Sequence, residues 1–173
     1  MKSKENIVFL GMMGSGKTSM GLIISKKLNL NFFDIDQEIE NTEGTKISKI
    51  FATKGEDYFR RLEEKISLNL LSKKKSVISL GGGGFLNKNI RNEVLKFHIS
   101  FWLNWENKTI INRIQNSSKR PIANKASYNE LIDLIKNRSN IYSKVPFFLF
   151  YLRCQLLLFF SRYPLGLQQV RFR

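Results

Sequence analysis

The stretch VFLGMMGSGKTSMG, residues 8–21, joins a short apolar run to four glycines and one lysine. Residues 11–18 satisfy the pattern G-x-x-x-x-G-K-[ST], with a strand signal before them and a helical pattern after them. Glycines let backbone N–H groups curl around phosphate oxygens, and the helix N-terminus adds partial positive charge. The stretch therefore predicts a nucleoside triphosphate site, in which Lys17 reaches the β- and γ-phosphates and Thr18 ligates Mg²⁺.

Strand signals alternate with helical patterns through the rest of the chain. We expect strands at residues 6–10, 31–36, 76–80 and 99–103, and helices at 17–29, 46–54, 56–72, 88–96, 106–115 and 128–142. Thr45 is the expected N-cap of the second helix, and Gly55 separates the second helix from the third. This alternation predicts an α/β fold with a parallel sheet and helices on both faces.

The length of 173 residues is typical of one compact domain. A single cysteine, Cys154, excludes an intramolecular disulfide, and a single histidine, His98, provides no Cys/His metal site. A reduced, cytoplasmic setting is the expected one. The basic N-terminus has too short an apolar core for a secretion signal, and no stretch reaches the ~20 apolar residues that span a bilayer.

The net charge of +15 has two interpretations. A basic surface can bind nucleic acid, or it can reflect a lysine- and asparagine-rich background around an anionic substrate. The lysines are scattered rather than gathered on one face with interleaved aromatics. The second interpretation is therefore favoured, and no nucleic-acid partner is expected.

The composition changes at residue 146. The tail, residues 146–173, has four arginines and eight aromatic residues, and it contains no Asp, Glu, Lys or Asn. We therefore divide the chain into a domain at 1–145 and an atypical apolar and basic tail at 146–173, with a last strand expected at 147–152. The change suggests a shifted reading frame or a spliced end, or else a tail that contacts a membrane or a partner.

Two carboxylates lie at the expected end of the second strand. Asp34 and Asp36 stand one residue apart, so in an extended segment they would point to opposite faces. One would face the metal and the other an acceptor hydroxyl, at the sheet edge where open α/β sheets bind ligands. The alternative is an ordinary N-cap for a helix at 37–43.

Two further clusters suit an acidic acceptor. Arg60 and Glu63 share one face of the third helix, and Arg61 and Glu64 form a second pair beside them. A guanidinium fork binds a carboxylate well, although both pairs could be surface ion pairs. Residues 81–84 are four glycines after an apolar strand, where a substrate ring could lie flush on backbone, or where the chain could simply turn.

Taken together, these pieces resemble shikimate kinase, a family of small P-loop kinases. The matching segments keep order and spacing over about residues 5–145, and they are GMMGSGKTSMG, FFDIDQEIE, ISKIFATKGEDYFRRLEE, SLGGGGF, RPI and RSNIY. The resemblance implies a P-loop kinase-like three-layer fold, with a five-stranded parallel sheet flanked by helices and a lid. The tail does not match.

The resemblance also implies roles for individual residues. The ATP contacts are expected from Gly14, Ser15, Gly16, Lys17, Thr18, Ser19, Arg113 near the adenine and Arg120 in the lid. The shikimate contacts are expected from Asp36, Arg60, Glu63, Gly81, Gly82, Gly83 and Arg138. Lys17, Asp36 and Arg120 are the expected catalytic residues, and Thr18 with Asp34, through water, would hold Mg²⁺.

The implied reaction is ATP-dependent phosphorylation of the 3-hydroxyl of shikimate by a cytoplasmic monomer. Two alternatives remain at this point. The chain could be another small-molecule P-loop kinase, for gluconate or a nucleotide, although Arg60, Arg138 and residues 81–84 favour a carboxylated ring. It could also bind nucleotide yet be catalytically impaired because of its tail.

Overall fold

The computed structural model describes residues 6–116 and 126–150. The five strands are β1 Ile7–Leu10, β2 Asn31–Asp34, β3 Ser76–Ser79, β4 Ile99–Asn104 and β5 Phe147–Phe150. The helices are α1 Lys17–Leu28, α2 Ile35–Glu43, α3 Ile47–Leu71, α4 Lys88–Phe97, α5 Asn107–Gln115 and α6 Tyr128–Tyr142, with a 3-10 turn at Gly84–Leu86. The α/β fold with a five-stranded parallel sheet is confirmed.

The order of strands in the sheet is β2-β3-β1-β4-β5. From β1 the chain forms β2 and β3 on one side and then β4 and β5 on the other, so the strand order reverses beside β1. Phe9 pairs with Ser79 of β3 and with Phe101 of β4, and the Leu80 N–H donates to the Phe9 carbonyl at 3.0 Å. The loops that follow β1 and β3 therefore leave the same edge side by side, where ligands bind in such sheets.

Both faces of the sheet are covered by helices, as the alternation predicted. Successive strand residues point to opposite faces, so β1 contributes Val8 and Leu10 to one core and Ile7 and Phe9 to the other. The larger core lies against α2 to α6, and the smaller core lies against α1 through Ile24.

β5 lies within the strand expected at 147–152. It pairs with β4 in parallel, and the Phe147 ring lies 5.3 Å from the Phe101 ring in the smaller core. The first residues of the tail thus belong to the sheet. Residues 151–173 lie outside the described residues, so the division at 145/146 and the origin of the tail stay predictions.

The start of α3 differs from the expectation. Its N-cap is Lys46 rather than Thr45, and Lys46 makes no capping hydrogen bond with its own side chain. The Glu40 carboxylate of α2 takes that role, because it accepts from the Ile47 N–H at 3.1 Å and binds the Lys46 ammonium at 2.8 Å. Gly55 does interrupt the helix, with φ 78°, as expected.

Asn6 joins three segments at the opposite end of the sheet from the loops. Its buried side-chain amide donates to the carbonyls of Leu71 at 3.0 Å and Lys73 at 2.7 Å, and its oxygen accepts from the Ser76 N–H at 3.0 Å. These bonds fix the end of α3 and the start of β3 against β1. No helix among the described residues is long and apolar enough to cross a membrane.

We expect Asn6→Ala to lower the free energy of unfolding by about 2–4 kcal/mol, because it leaves buried backbone groups without partners. Urea unfolding followed by circular dichroism measures this change. Asn92→Ala, at an exposed position of α4, is the matched control and should change stability by less than about 0.5 kcal/mol. Equal effects of the two substitutions would contradict the role of Asn6.

Candidate active site

The loop between β1 and α1 is shaped by glycines that no other residue replaces without strain. Gly11 has φ 141°, and a Cβ there would lie 2.7 Å from the Leu103 carbonyl oxygen of β4. Gly16 has φ 90° and is the N-cap of α1, so the unpaired N–H groups of the first helical turn face the loop. The loop and helix start thus form the anion-binding arrangement that the sequence predicted.

Lys17 lies inside the curve of this loop. Its side chain is 9% exposed, and its Nζ donates to the carbonyl oxygens of Gly11 and Met12, both at 2.9 Å. The ammonium therefore lies within the loop, at the place where the sequence predicts the phosphates. Ser19 lies exposed in the first turn of α1, beside the same loop.

Thr18 and Asp34 are in direct contact. The Thr18 hydroxyl donates to Asp34 Oδ2 at 2.6 Å, which brings two hard oxygen ligands together at the loop. Asp34 Oδ1 accepts from the N–H groups of Asp36 and Gln37, so Asp34 is also the N-cap of α2. One carboxylate oxygen of Asp34 thus caps α2 and the other contacts Thr18, while its role toward a metal stays a prediction.

The expected extended segment at Asp36 is wrong. β2 ends at Asp34, and Asp36 lies in the first turn of α2 because the Asp34 cap starts the helix at Ile35. Even so, the two carboxylates are separated in space. Asp34 faces Thr18, whereas Asp36 Oδ1 lies over Gly81, the first residue of the glycine run.

The glycines after β3 provide room for side chains from other helices. A Cβ on Gly81 would lie 2.6 Å from Glu63 Oε1 and 2.7 Å from Asp36 Oδ1, and a Cβ on Gly83 would lie 2.6 Å from Arg60 Nη1. Any larger residue at either position would displace these charged groups. Gly81 and Gly83 therefore leave the space that the ends of these charged side chains occupy.

Arg60 is bound by carboxylates on two sides. Its Nη1 donates to Glu63 Oε2 at 2.7 Å, and its Nε and Nη2 donate to Glu56 Oε1 at 3.1 and 3.0 Å. Glu63 is buried, whereas Glu56 is largely exposed. The second expected pair is different, because the Glu64 carboxylate accepts from the side-chain amides of Asn87 and Asn89.

Arg138 of α6 reaches the same place from the other side. Its Nη1 donates to the Gly82 carbonyl at 3.0 Å, and the buried Tyr142 hydroxyl donates to the same oxygen. The Arg138 Nε is buried and has no hydrogen-bond partner among the described residues. Gly82 lies close to the phosphate loop as well, since a Cβ there would lie 3.4 Å from the Met13 backbone nitrogen.

Part of this cluster lines a cavity of about 430 Å³, whereas Asp36 and the phosphate loop are not among its lining residues. Both arginines line it, together with two carboxylates and residues of α6 and the 3-10 turn, and the lining residues are Glu56, Arg60, Glu63, Gly83, Leu86, Asn87, Leu134, Asn137, Arg138 and Ile141. A concave site with convergent charged groups and an apolar wall suits a small ring that carries a carboxylate.

Glu63 has an altered protonation equilibrium. Burial raises the pKa of its carboxyl above the ordinary value, and the nearby Asp36 carboxylate adds to this effect. The positive charges of Arg60 and Arg138 lower the pKa but do not outweigh burial. Perturbed groups of this kind, packed in a cleft, are typical of functional sites.

Three site residues escaped the sequence analysis. Glu56 stands four residues before Arg60 on one helix face, a spacing that could have indicated the pair. Tyr142 was noted only as the last residue of RSNIY and Trp105 not at all, because both act on backbone carbonyls distant in sequence. Arg113, expected near the adenine, donates from Nη1 to the Gly14 carbonyl at 3.2 Å.

The expected lid arginine, Arg120, lies outside the described residues. The described residues contain no cluster of three or more His, Cys, Asp or Glu side chains that could hold a metal ion. Mg²⁺ is commonly held by one or two protein oxygens together with substrate phosphates, so the Mg²⁺ site expected at Thr18 and Asp34 would not form such a cluster and stays a prediction.

A parallel sheet whose first strand ends in this glycine–lysine loop, in a protein that also has a cavity lined by charged side chains, is typical of P-loop kinases. Comparison with known proteins gives the family. The shikimate kinase family model matches residues 13–151 of the chain. The chain belongs to the shikimate kinase family, an ATP-dependent class of phosphotransferases.

Relatives of this chain support the same assignment. The shikimate kinase of Sulfurihydrogenibium sp. (strain YO3AOP1) is 40% identical over 138 residues, which are 80% of this chain and 82% of that protein. The solved shikimate kinase of Aquifex aeolicus has 32% identity and a TM-score of 0.80, covering 93% of this chain and 99% of that one. A shikimate kinase of Acinetobacter baumannii, solved in complex with shikimate, has 27% identity and a TM-score of 0.83, covering 93% and 96%.

The raised pKa of Glu63 predicts a pH dependence of stability. A folded-state pKa above the ordinary value of 4.5 means that the folded protein holds the proton more tightly. The stability that tighter proton binding provides is fully present below the ordinary pKa of 4.5 and is lost as pH rises through the folded-state pKa. Relative to Glu63→Gln, the unaltered chain should therefore lose free energy of unfolding as pH rises from 4 to 8, measured by urea unfolding.

Glu64→Gln is the matched control on the next residue. Hydrogen bonds from Asn89 and Asn87 lower the pKa of Glu64, so its contribution is present above the ordinary value and is lost as pH falls. The two substitutions should therefore change the pH profile in opposite directions. Parallel profiles for both variants would show that the Glu63 shift is absent.

Proposed function

We propose that this chain transfers the γ-phosphoryl group of ATP to the 3-hydroxyl of shikimate, giving shikimate 3-phosphate and ADP. The observation that carries the proposal is the pairing of two arginines and two carboxylates on a glycine run that touches the phosphate loop. The family of the chain agrees with this function and does not favour another small-molecule kinase or a merely nucleotide-binding protein.

The phosphate side is formed by residues 14–19. Backbone N–H groups of the loop and of the α1 N-terminus bind the phosphate oxygens, and Lys17 neutralises the charge that develops on the transferring group. Thr18 and Asp34 fit Mg²⁺ through their adjacent oxygens, Asp34 acting through water. Mg²⁺ would supply charge neutralisation at the phosphates. Arg113 contributes near the adenine, and Arg120, which lies outside the described residues, is expected to act from a lid.

The acceptor side is formed by α2, α3, α6 and the glycine run. Arg60 and Arg138 bind the substrate carboxylate, for which the buried Arg138 Nε offers an additional donor. Glu63 holds Arg60 in position through the 2.7 Å hydrogen bond. The backbone at residues 81–83 contacts the ring, which lies between this pair of arginines and Asp36.

Asp36 is the residue that prepares the nucleophile. Its carboxylate accepts the proton of the 3-hydroxyl as the oxygen attacks the γ-phosphorus, while the bond to the leaving ADP oxygen breaks in line. Catalysis then depends mainly on positioning and on neutralising charge. Exclusion of water by the lid prevents hydrolysis of ATP. A monomeric state and a cytoplasmic location stay predictions.

A coupled ADP-release assay with purified chain, ATP and Mg²⁺ tests this function. Shikimate should give turnover, whereas gluconate and deoxyadenosine should not. Shikimate methyl ester, which lacks the charged carboxylate, should react with a much higher KM because Arg60 and Arg138 lose their anionic partner. Turnover with another acceptor and none with shikimate would overturn the proposal.

The division of roles between the two sides predicts separable defects. Asp36→Asn should lower kcat by about 10²–10⁴-fold, because the hydroxyl loses its base, and should leave the Kd of ATP unchanged. Lys17→Ala should weaken ATP binding and lower kcat, since it removes the cation at the phosphates. Steady-state kinetics and calorimetric titration measure both quantities. Equal losses of ATP affinity in the two variants would contradict the assignment.

Neighbouring arginines of α3 provide a matched pair for the acceptor site. Arg60→Met should raise the KM for shikimate by about 10–100-fold, because it removes charge-assisted hydrogen bonds to the carboxylate. Arg61→Met, at the exposed next position, should leave this KM within about twofold. The KM for ATP should stay the same in both variants. A similar KM for shikimate in the two variants would contradict the role of Arg60.

A further inference from the structure

Trp105, just after β4, contacts the phosphate loop from behind. Its indole Nε1 donates to the Ser15 carbonyl at 2.9 Å, across 90 positions of sequence. Arg113 of α5 lies over the same indole ring, 4.1 Å from its centroid, and donates to the Gly14 carbonyl. Two successive loop carbonyls thus bind donors from two stacked side chains.

Because the peptide bond is planar, a hydrogen bond that holds a carbonyl also fixes the direction of the N–H group in the same plane. The Ser15 carbonyl shares a peptide plane with the Gly16 N–H, and in a trans peptide the two groups point in opposite directions. A donor that holds the carbonyl of Ser15 toward Trp105 therefore directs the N–H of Gly16 to the other side, into the loop where phosphate binds.

The second contact fixes the preceding peptide plane in the same way. The Gly14 carbonyl, bound by Arg113, shares its plane with the Ser15 N–H, which donates to the Met12 carbonyl at 3.2 Å. Gly14 also packs closely on this side chain, since a Cβ at Gly14 would lie 3.3 Å from the Arg113 Cβ. Both peptide planes are therefore held from outside the loop.

We propose that Trp105 is a positioning residue for the nucleotide, which acts with Arg113 by holding the Gly14 and Ser15 carbonyls outward so that the Gly16 N–H faces the phosphates. This inference rests on the proposed binding of ATP at the loop. It is separable from the acceptor, because the hydrogen bonds that carry it are made to residues 14 and 15 and not to the glycine run after β3. Glycine at position 16 gives the peptide plane between Ser15 and Gly16 more freedom to rotate, so a hydrogen bond from outside the loop is needed to fix its orientation.

The test compares Trp105→Phe with Trp105→Ala. Phenylalanine keeps an aromatic face for Arg113 but removes the N–H donor, so the Kd of ADP and the KM of ATP should rise roughly fivefold, the equivalent of one hydrogen bond. Alanine removes both interactions, so the rise should be on the order of tenfold or more. The KM of shikimate should stay within about twofold in both variants, because the acceptor site is untouched.

A double-mutant cycle examines whether Trp105 and Arg113 act on the same loop. Trp105→Phe and Arg113→Gln should be non-additive in the Kd of ADP, because each loses part of its effect once the other contact is absent. Lys108→Gln on the same helix α5 is the matched charge control, and it should leave the Kd unchanged and combine additively with Trp105→Phe. Near-ultraviolet circular dichroism and thermal unfolding establish that each variant is folded.

Calorimetric titration with ADP alone separates this inference from the proposed activity. Weaker ADP binding by Trp105→Phe would support the positioning role even if the chain showed no shikimate-dependent turnover. The lack of turnover would overturn only the proposed function. An unchanged Kd of ADP in folded Trp105→Phe would overturn the inference. Equal increases in the KM of ATP and of shikimate would overturn it as well, because they would indicate a general structural effect.

Discussion

The parallel pairing of β1 with β3 is the constraint on which the rest of the site depends. Phe9 stands opposite Ser79, and the Leu80 N–H extends the ladder by binding the Phe9 carbonyl, so the two strands end level with each other. The phosphate loop and the glycine run leave the sheet from these adjacent ends. A phosphoryl donor and an acceptor must lie within bonding reach, and this pairing brings their two loops together before any side chain contributes.

Glycine then determines how near the charged groups can approach. Gly81 and Gly83 leave the volume that the Asp36, Glu63 and Arg60 side chains occupy. Burial in this cluster raises the pKa of Glu63. Arg60 is surrounded by carboxylates, and the buried Arg138 Nε has no hydrogen-bond partner among the described residues. A substrate carboxylate suits these cations, and a hydroxyl suits Asp36. The backbone therefore sets the chemistry of the cavity as much as the charged side chains do.

The sequence predicted those features that depend on neighbouring residues or on repeated patterns. The alternation of strands and helices, the phosphate loop, the helix break at Gly55 and the strand at the start of the tail are confirmed. The wrong expectations concern local geometry that competing hydrogen bonds decide, and they include the Arg61–Glu64 pair, since Glu64 binds Asn87 and Asn89 instead. Glu40 rather than Thr45 caps α3, and the capping oxygen of Asp34 starts α2 before Asp36. The roles of Asn6, Tyr142 and Trp105 could not be found, because their partners lie 60 or more positions away in the sequence.

The central claim is that one acceptor pocket, formed on the glycines after β3, presents a carboxylated ring alcohol to the phosphate loop. A crystal structure of the chain with ADP, Mg²⁺ and shikimate tests it most directly. The account predicts the shikimate carboxylate between Arg60 and Arg138, with the 3-hydroxyl within hydrogen-bond distance of the Asp36 carboxylate and directed toward the phosphate loop. Shikimate bound elsewhere, or with its carboxylate away from both arginines, would contradict the account.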